Sequence, residues 1–142
     1  MCLMPRIRIT FYAEALIPWN IAKKLKSEEI NKMALEFRNI IFRHGLVEKC
    51  LNKLRKLGLV GEWLRELWFF ELSEERLDSA YGVSKEKKGL NVWFFQWVYA
   101  AAPTEVIDME DKIKRETTIR EKIRINNLEM LVESYITVAE ED

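Results

Sequence analysis

Leu90-Asn-Val-Trp-Phe-Phe-Gln-Trp-Val-Tyr-Ala-Ala101 decides how this chain is built. The run is almost wholly apolar and rich in Val, Trp, Phe and Tyr, side chains that suit a pleated surface better than a helix. Gly89 and Pro103 bracket it, and both residue types punctuate regular structure. The expectation is a β-strand in the middle of a sheet, buried on both faces or nearly so. Alternation sends Val92, Phe94, Gln96 and Val98 to one face and Trp93, Phe95, Trp97 and Tyr99 to the other. One face is the more aliphatic; the other is a ladder of aromatics. That ladder is either core beneath a helix layer or the contact surface for a partner.

Upstream, Arg6-Ile-Arg-Ile-Thr-Phe-Tyr12 alternates as a half-buried strand, with Ile7, Ile9 and Phe11 inward. Pro18 suits the first turn of a short helix ending near Lys26. Ser27-Glu-Glu opens a longer helix, and Ile30, Met33, Ala34, Phe37, Ile40, Ile41 and His44 recur at three- and four-residue steps along it. Gly45 ends it. Leu46 to Leu57 reads as a further helix on Leu46, Val47, Cys50, Leu51 and Leu54, and Gly61 to Leu72 as another, with Trp63, Leu64, Leu67, Trp68 and Phe70. Ser73-Glu-Glu adds about one turn through Leu77.

Downstream, Ser84 to Gly89 reads as a polar loop and Pro103 to Asp111 as an acidic connection. The last third reads as a hairpin, Lys112 to Ile125 against Leu128 to Glu141. Asn126-Asn127 forms its turn, because asparagine tolerates the positive φ of a type I′ bend. That register sets Ile125 opposite Leu128, Ile123 opposite Met130 and Thr117 opposite Ile136. On the other face Arg124 meets Glu129, Arg120 meets Glu133 and Lys112 meets Glu141. A one-residue slip would expose the apolar set.

These elements give an α+β fold: an antiparallel β-meander of about four strands, the N-terminal one included, packed against three to four helices from the first half. The expected organisation is one domain over 1–142, with a helical half about 18–80, a β half about 90–141 and the strand 6–12 joining the sheet.

Composition bounds the function. Lys and Arg total 23 and Asp and Glu total 23, so no whole-molecule pull on nucleic acid or anionic lipid is expected. No apolar run reaches the ~18 residues of a membrane span, and Met1 to Met4 lead into Arg6 and Arg8 without the apolar segment of a secretory leader. A cytoplasmic location is the expectation. Gln96 is the only glutamine while Lys, Glu and Ile abound, a thermophile-like balance. Cys2 and Cys50, the only cysteines, make neither a convincing disulfide nor a zinc site alone. Gly45, Gly58, Gly61, Gly82 and Gly89 form no phosphate-cradling array. No cofactor is expected.

Three patterns compete for function. The aromatic surplus, Trp63, Trp68, Phe70, Trp93 and Trp97, exceeds what a core of this size readily hides and matches the residue types of interface hot spots. Core packing and a ligand pocket between helices and sheet are the other destinations for these rings. Second, Asp108, Glu110 and Lys112 have the residue types of a metal-dependent nuclease or phosphodiesterase: Asp108 and Glu110 to hold the metal, Lys112 to steady phosphate charge. A solvated acidic loop has the same composition. Third, Lys49, Lys53, Arg55 and Lys56 line a helix that can sit on phosphates or simply face water. His44, the only histidine, lies six residues from Cys50 across a glycine break, so it reads as a helix end and not as half of a Cys-His centre. The leading expectation is a non-catalytic interaction or assembly protein, a homo-oligomer or the binder of a protein partner.

Overall fold

Alternation along the N-terminal segment continues past Tyr12. Ala13, Ala15 and Ile17 follow Ile7, Ile9 and Phe11 on one buried face, so strand β1 runs Arg6–Pro18. Pro18 then begins the one-turn helix α1, Trp19–Ala22. The structure, a computed structural model, describes residues 5–57 and 78–141. Helix α2 spans Ser27–Arg43 and α3 spans Leu46–Arg55. Strand β2 (Asp78–Lys85) and strand β3 (Gly89–Ala101) form a hairpin. Two short helices follow, α4 (Thr104–Asp108) and α5 (Glu110–Thr117), and then the hairpin of β4 (Ile119–Ile125) and β5 (Leu128–Glu140).

The sheet order is β2-β3-β1-β5-β4, every pairing antiparallel. This is an α+β fold with an antiparallel sheet. Among the described residues it has five strands where about four were expected, and their order is not that of a meander. Two hairpins flank the N-terminal strand, which holds the middle position expected of β3. β1 pairs with β3 from Arg6↔Ala101 to Pro18↔Gly89 and with β5 from Ile7↔Glu140 to Ala15↔Val132.

The helices explain which face is core. On α2, Met33, Ala34, Phe37, Ile40 and Ile41 are buried; on α3, Leu46, Val47, Cys50, Leu51 and Leu54 are. Apart from Ala34, these side chains join Ile7, Ile9, Phe11, Val92, Phe94, Val132 and Ile136 in one hydrophobic cluster. Truncating a fully buried ring such as Phe37 would cost about 3–5 kcal/mol. Gly45, at φ +61°, makes the left-handed break between α2 and α3 that non-glycine residues resist. His44 closes α2, its N–H donating to Ile40 O at 2.9 Å, but its side chain is exposed and stands outside the apolar stripe.

At the far edge, Asn126 (φ 48°) and Asn127 (φ 67°) turn β4 into β5 in the expected register, with Ile125↔Leu128, Ile123↔Met130, Arg124↔Glu129 and Arg120↔Glu133. The strand expected from Lys112 is shorter. Residues 110–117 form α5, so Lys112 has no strand partner, and Glu141 instead pairs with Arg6 at 3.1 Å. Thr117 does meet Ile136, from the helix end: its Oγ1 accepts from Ile136 N at 2.9 Å and donates to Ile113 O at 2.6 Å. Thus α5 carries on the line of β4 along the open edge of β5. The expected helix over 61–72, with the turn after it, lies outside the described residues. Among the described residues no helix is long and apolar enough to cross a membrane.

Candidate docking surface

Because α2 and α3 pack on one face, the second face of the sheet carries the other half of each strand's alternation. β1 contributes Arg6, Arg8, Thr10, Tyr12, Glu14 and Leu16; β3 contributes Asn91, Trp93, Phe95, Trp97 and Tyr99; β5 contributes Leu131, Glu133, Tyr135, Thr137 and Ala139. The four β3 aromatics are half-buried, where burial on both faces was expected of this strand. Leu16 is 38% exposed and Leu131 54%, and they extend the apolar surface past Glu14 and Glu133.

The rings are held in a fixed array. Trp93 and Phe95 stack with centroids 4.7 Å apart and planes within 13°. Phe95 stacks on Tyr12 across the strands at 5.5 Å, and Tyr12 meets Tyr135 at 5.2 Å. Trp97 continues the column, 6.3 Å from Phe95. Neighbours on a sheet can stack face to face only if their ring planes stand up from it. The π-faces of Trp93, Phe95 and Tyr12 are therefore largely spent on one another, while Trp97 is tilted 49° from Phe95 and Tyr135 37° from Tyr12. Trp93 leans over β2, where its Nε1 donates to Ser84 Oγ at 2.8 Å. Gly82 makes room: a Cβ there would sit 2.8 Å from Trp93 Cζ2.

Charges border the rings. Arg6 lies over Tyr99 (4.6 Å from Cζ to the ring centroid) and Lys114 of α5 over Tyr135 (4.8 Å). Glu14 Oε2 accepts from Tyr12 Oη at 2.8 Å and Asn91 Nδ2 at 3.1 Å. Burial, then the hydrogen bond and charge of Glu14, push the Tyr12 hydroxyl far above its ordinary range. Burial, then the charges of Glu14 and Glu133, push Tyr135 up to about 12. Both phenols are neutral donors at any physiological pH. Glu133, directly across from Glu14, is paired with Arg120 at 2.9 Å. Arg8 makes no ion pair among the described residues. Between Arg8 and the Tyr12 row lies a shallow basin of about 290 Å³, lined by Arg8, Thr10, Tyr12, Phe95, Trp97 and Thr137.

The other candidate residues are dispersed. Asp108 ends α4, Glu110 and Lys112 lie on α5, and all three side chains are exposed. Among the described residues no group of three or more His, Cys, Asp or Glu is placed to hold a metal ion. On α3, Lys49 Nζ pairs with Glu121 at 2.8 Å and Lys53 Nζ donates to Thr118 O at 3.2 Å, so both turn toward β4. Arg55 and Lys56 border an open recess with Asn52. Cys50 is fully buried, its Sγ 3.7 Å from Ser134 Oγ, and burial pushes its thiol up to about 11, which suits a core residue and not a nucleophile. Trp63, Trp68 and Phe70 lie outside the described residues; Trp93 and Trp97 stand in the array.

Sequence reasoning missed Arg8, Tyr12, Glu14 and Tyr135 as companions of the tryptophans. The polar alternation of β1 held the signal, once β1 is placed beside β3. No protein-family model, curated protein or solved structure matches the chain.

Proposed function

We propose that the chain is a non-catalytic interaction protein that docks a protein surface on the aromatic face of its sheet. The observation that supports this best is the contiguous aromatic array on the face opposite α2 and α3: Trp93 and Tyr12 stacked on Phe95, with Trp97 and Tyr135 tilted against its ends. Rings that stack on one another keep their positions without a partner, so they lose little side-chain freedom on binding. Large, rigid, half-exposed aromatics are what interface hot spots consist of. The face also has a polar rim, Arg6, Arg8, Glu14 and Glu133, as docking patches do.

A single substitution tests the reading. Phe95→Lys places a cation in the centre of the column. If this face meets solvent or a partner, the variant keeps its far-UV circular dichroism and loses about 2 kcal/mol of stability or less, while association through the face is abolished. If the face is interior, a lysine there is an unpaired buried charge, the protein unfolds and the reading falls.

A further inference from the structure

Taking that face as a docking surface, we propose that its occupant is a second copy of this chain, related by a twofold axis that lies in the interface and crosses the strands. Such an axis lays β1 of each copy antiparallel on β1 of the other. The interface is then isologous, and each patch must complement itself.

The face meets that condition in charge and, along β1 and β5, in shape, while on β3 ring meets ring, Trp97 on Phe95 and Tyr99 on Trp93. Along β1 the open-face residues are Arg8, Thr10, Tyr12 and Glu14. Their cross-strand neighbours are Tyr99, Trp97, Phe95 and Trp93 on β3, and Ala139, Thr137, Tyr135 and Glu133 on β5. An axis midway between the Thr10 row and the Tyr12 row exchanges these rows in pairs. Thr10 and Thr137, the short side chains flooring the basin, then face the Tyr12 and Tyr135 ring edges of the partner. A ridge fills a hollow, twice. The basin, about 290 Å³ and open, is roomy enough to take a side-chain knob from the partner. The same operation sets Arg8, without an ion pair among the described residues, over the partner's Glu14. That carboxylate has hydrogen-bond donors but, among the described residues, no ion-pair partner.

Two sheets packed face to face stand ~10 Å apart with strands within ~30° of alignment, so facing rows meet across the interface. Five strands at ~4.8 Å spacing and about ten residues of β1 give a flat footprint of roughly 600 Å², before side-chain relief is counted. A standard interface buries about 800 Å² per partner. Single-stranded nucleic acid fits the face less well. Base stacking needs free ring faces, and those of Trp93, Phe95 and Tyr12 are stacked on one another here.

The test is mass by light scattering behind a sizing column, at a loading of roughly 100 µM, where micromolar association is complete. A second copy gives twice the 16.9 kDa chain mass. R8E, at an exposed position, should weaken association ~10-fold or more, and so should E14R; R8E combined with E14R should recover to within ~3-fold of the parent, because each swapped pair re-forms across the axis. Wild-type monomer, with Phe95→Lys still folded, overturns the second-copy inference and leaves the face to a foreign protein. A dimer indifferent to both R8E and Phe95→Lys uses another surface and also overturns it. So does a monomer that binds a fluorescent single-stranded oligonucleotide and loses it in R8E. Unfolding of Phe95→Lys removes the docking reading beneath it.

Discussion

Gly82→Ala is a small change with a defined target. A Cβ at position 82 would lie 2.8 Å from Trp93 Cζ2, closer than real Cβ contacts come, and 3.3 Å from Cε2, tighter than most, so the indole must shift in its seat over β2. Two interactions go with it. The Nε1 bond to Ser84 Oγ, 2.8 Å long, is worth about 0.5–1 kcal/mol at its half-exposed position. The 4.7 Å stack on Phe95 is worth about 0.5–1.5 kcal/mol. Against them, alanine regains about 0.5–1 kcal/mol over glycine in a strand. The balance is a loss of about 1 kcal/mol, seen as a lower urea midpoint at unchanged slope and a red shift of tryptophan emission. The decisive control is the same substitution in a Trp93→Phe background. With the indole gone, the obstacle is gone, and Gly82→Ala should become neutral or mildly stabilising. A double-mutant cycle should therefore show coupling of about 1 kcal/mol or more. Equal effects in the two backgrounds would refute the claim that Gly82 exists to seat Trp93.

Two further glycines should respond by very different amounts. Gly89→Asn brings a Cβ into the Ile17 carbonyl and Pro18, backbone that cannot step aside, and should cost about 2 kcal/mol or more by parting the ends of β1 and β3. Gly45→Asn meets only open space at φ +61° and should cost a few tenths of a kcal/mol, since asparagine tolerates that conformation. Urea unfolding of both variants checks the contrast. With Cys2 replaced by Ser, Cys50 should resist thiol reagents in the native protein and react fully in denaturant; rapid native labelling would contradict its burial. Its raised folded-state value also fixes a pH trend. The fold holds the thiol proton more tightly than the unfolded chain does, so this contribution is complete below about pH 9 and lost as pH rises through about 11. A urea midpoint that rises over that interval would contradict the assignment.

How much of this was legible in the chain depended on whether local pattern and tertiary demand agreed. The β3 alternation, the α2 stripe and the Asn126-Asn127 turn each carry a strong short-range signal, and each stands where the pattern put it. β2 escaped notice because an edge strand needs only one good partner, and Asp78-Ser-Ala-Tyr-Gly-Val-Ser-Lys offers little beyond Tyr81 and Val83. β1 looked too short because Ala13 and Ala15 have weak strand preference, yet Ala13 stands opposite the large Phe94 ring. α5 passed for strand because Ile113 and Thr117 satisfy both a four-residue helical step and a two-residue alternation. The acidic connection is in part helix, Thr104–Asp108, a single turn too short to show an apolar stripe. For the aromatic face, the residues were visible but its fate was not. Both sides of β3 are apolar, and only the position of β1 and the helix stripes separates core from open surface.

Hydroxyl-radical footprinting across a dilution series addresses the central claim most directly, because it reads the aromatic face residue by residue. In dilute protein Trp93, Phe95, Trp97 and Tyr12 should be oxidised readily, while Phe11, Phe37 and Phe94 of the core stay protected. As concentration rises, the four face residues should become protected together, with the core unchanged. Protection of the face at every concentration would make it interior, and uniform oxidation at every concentration would leave it without the second copy inferred for it.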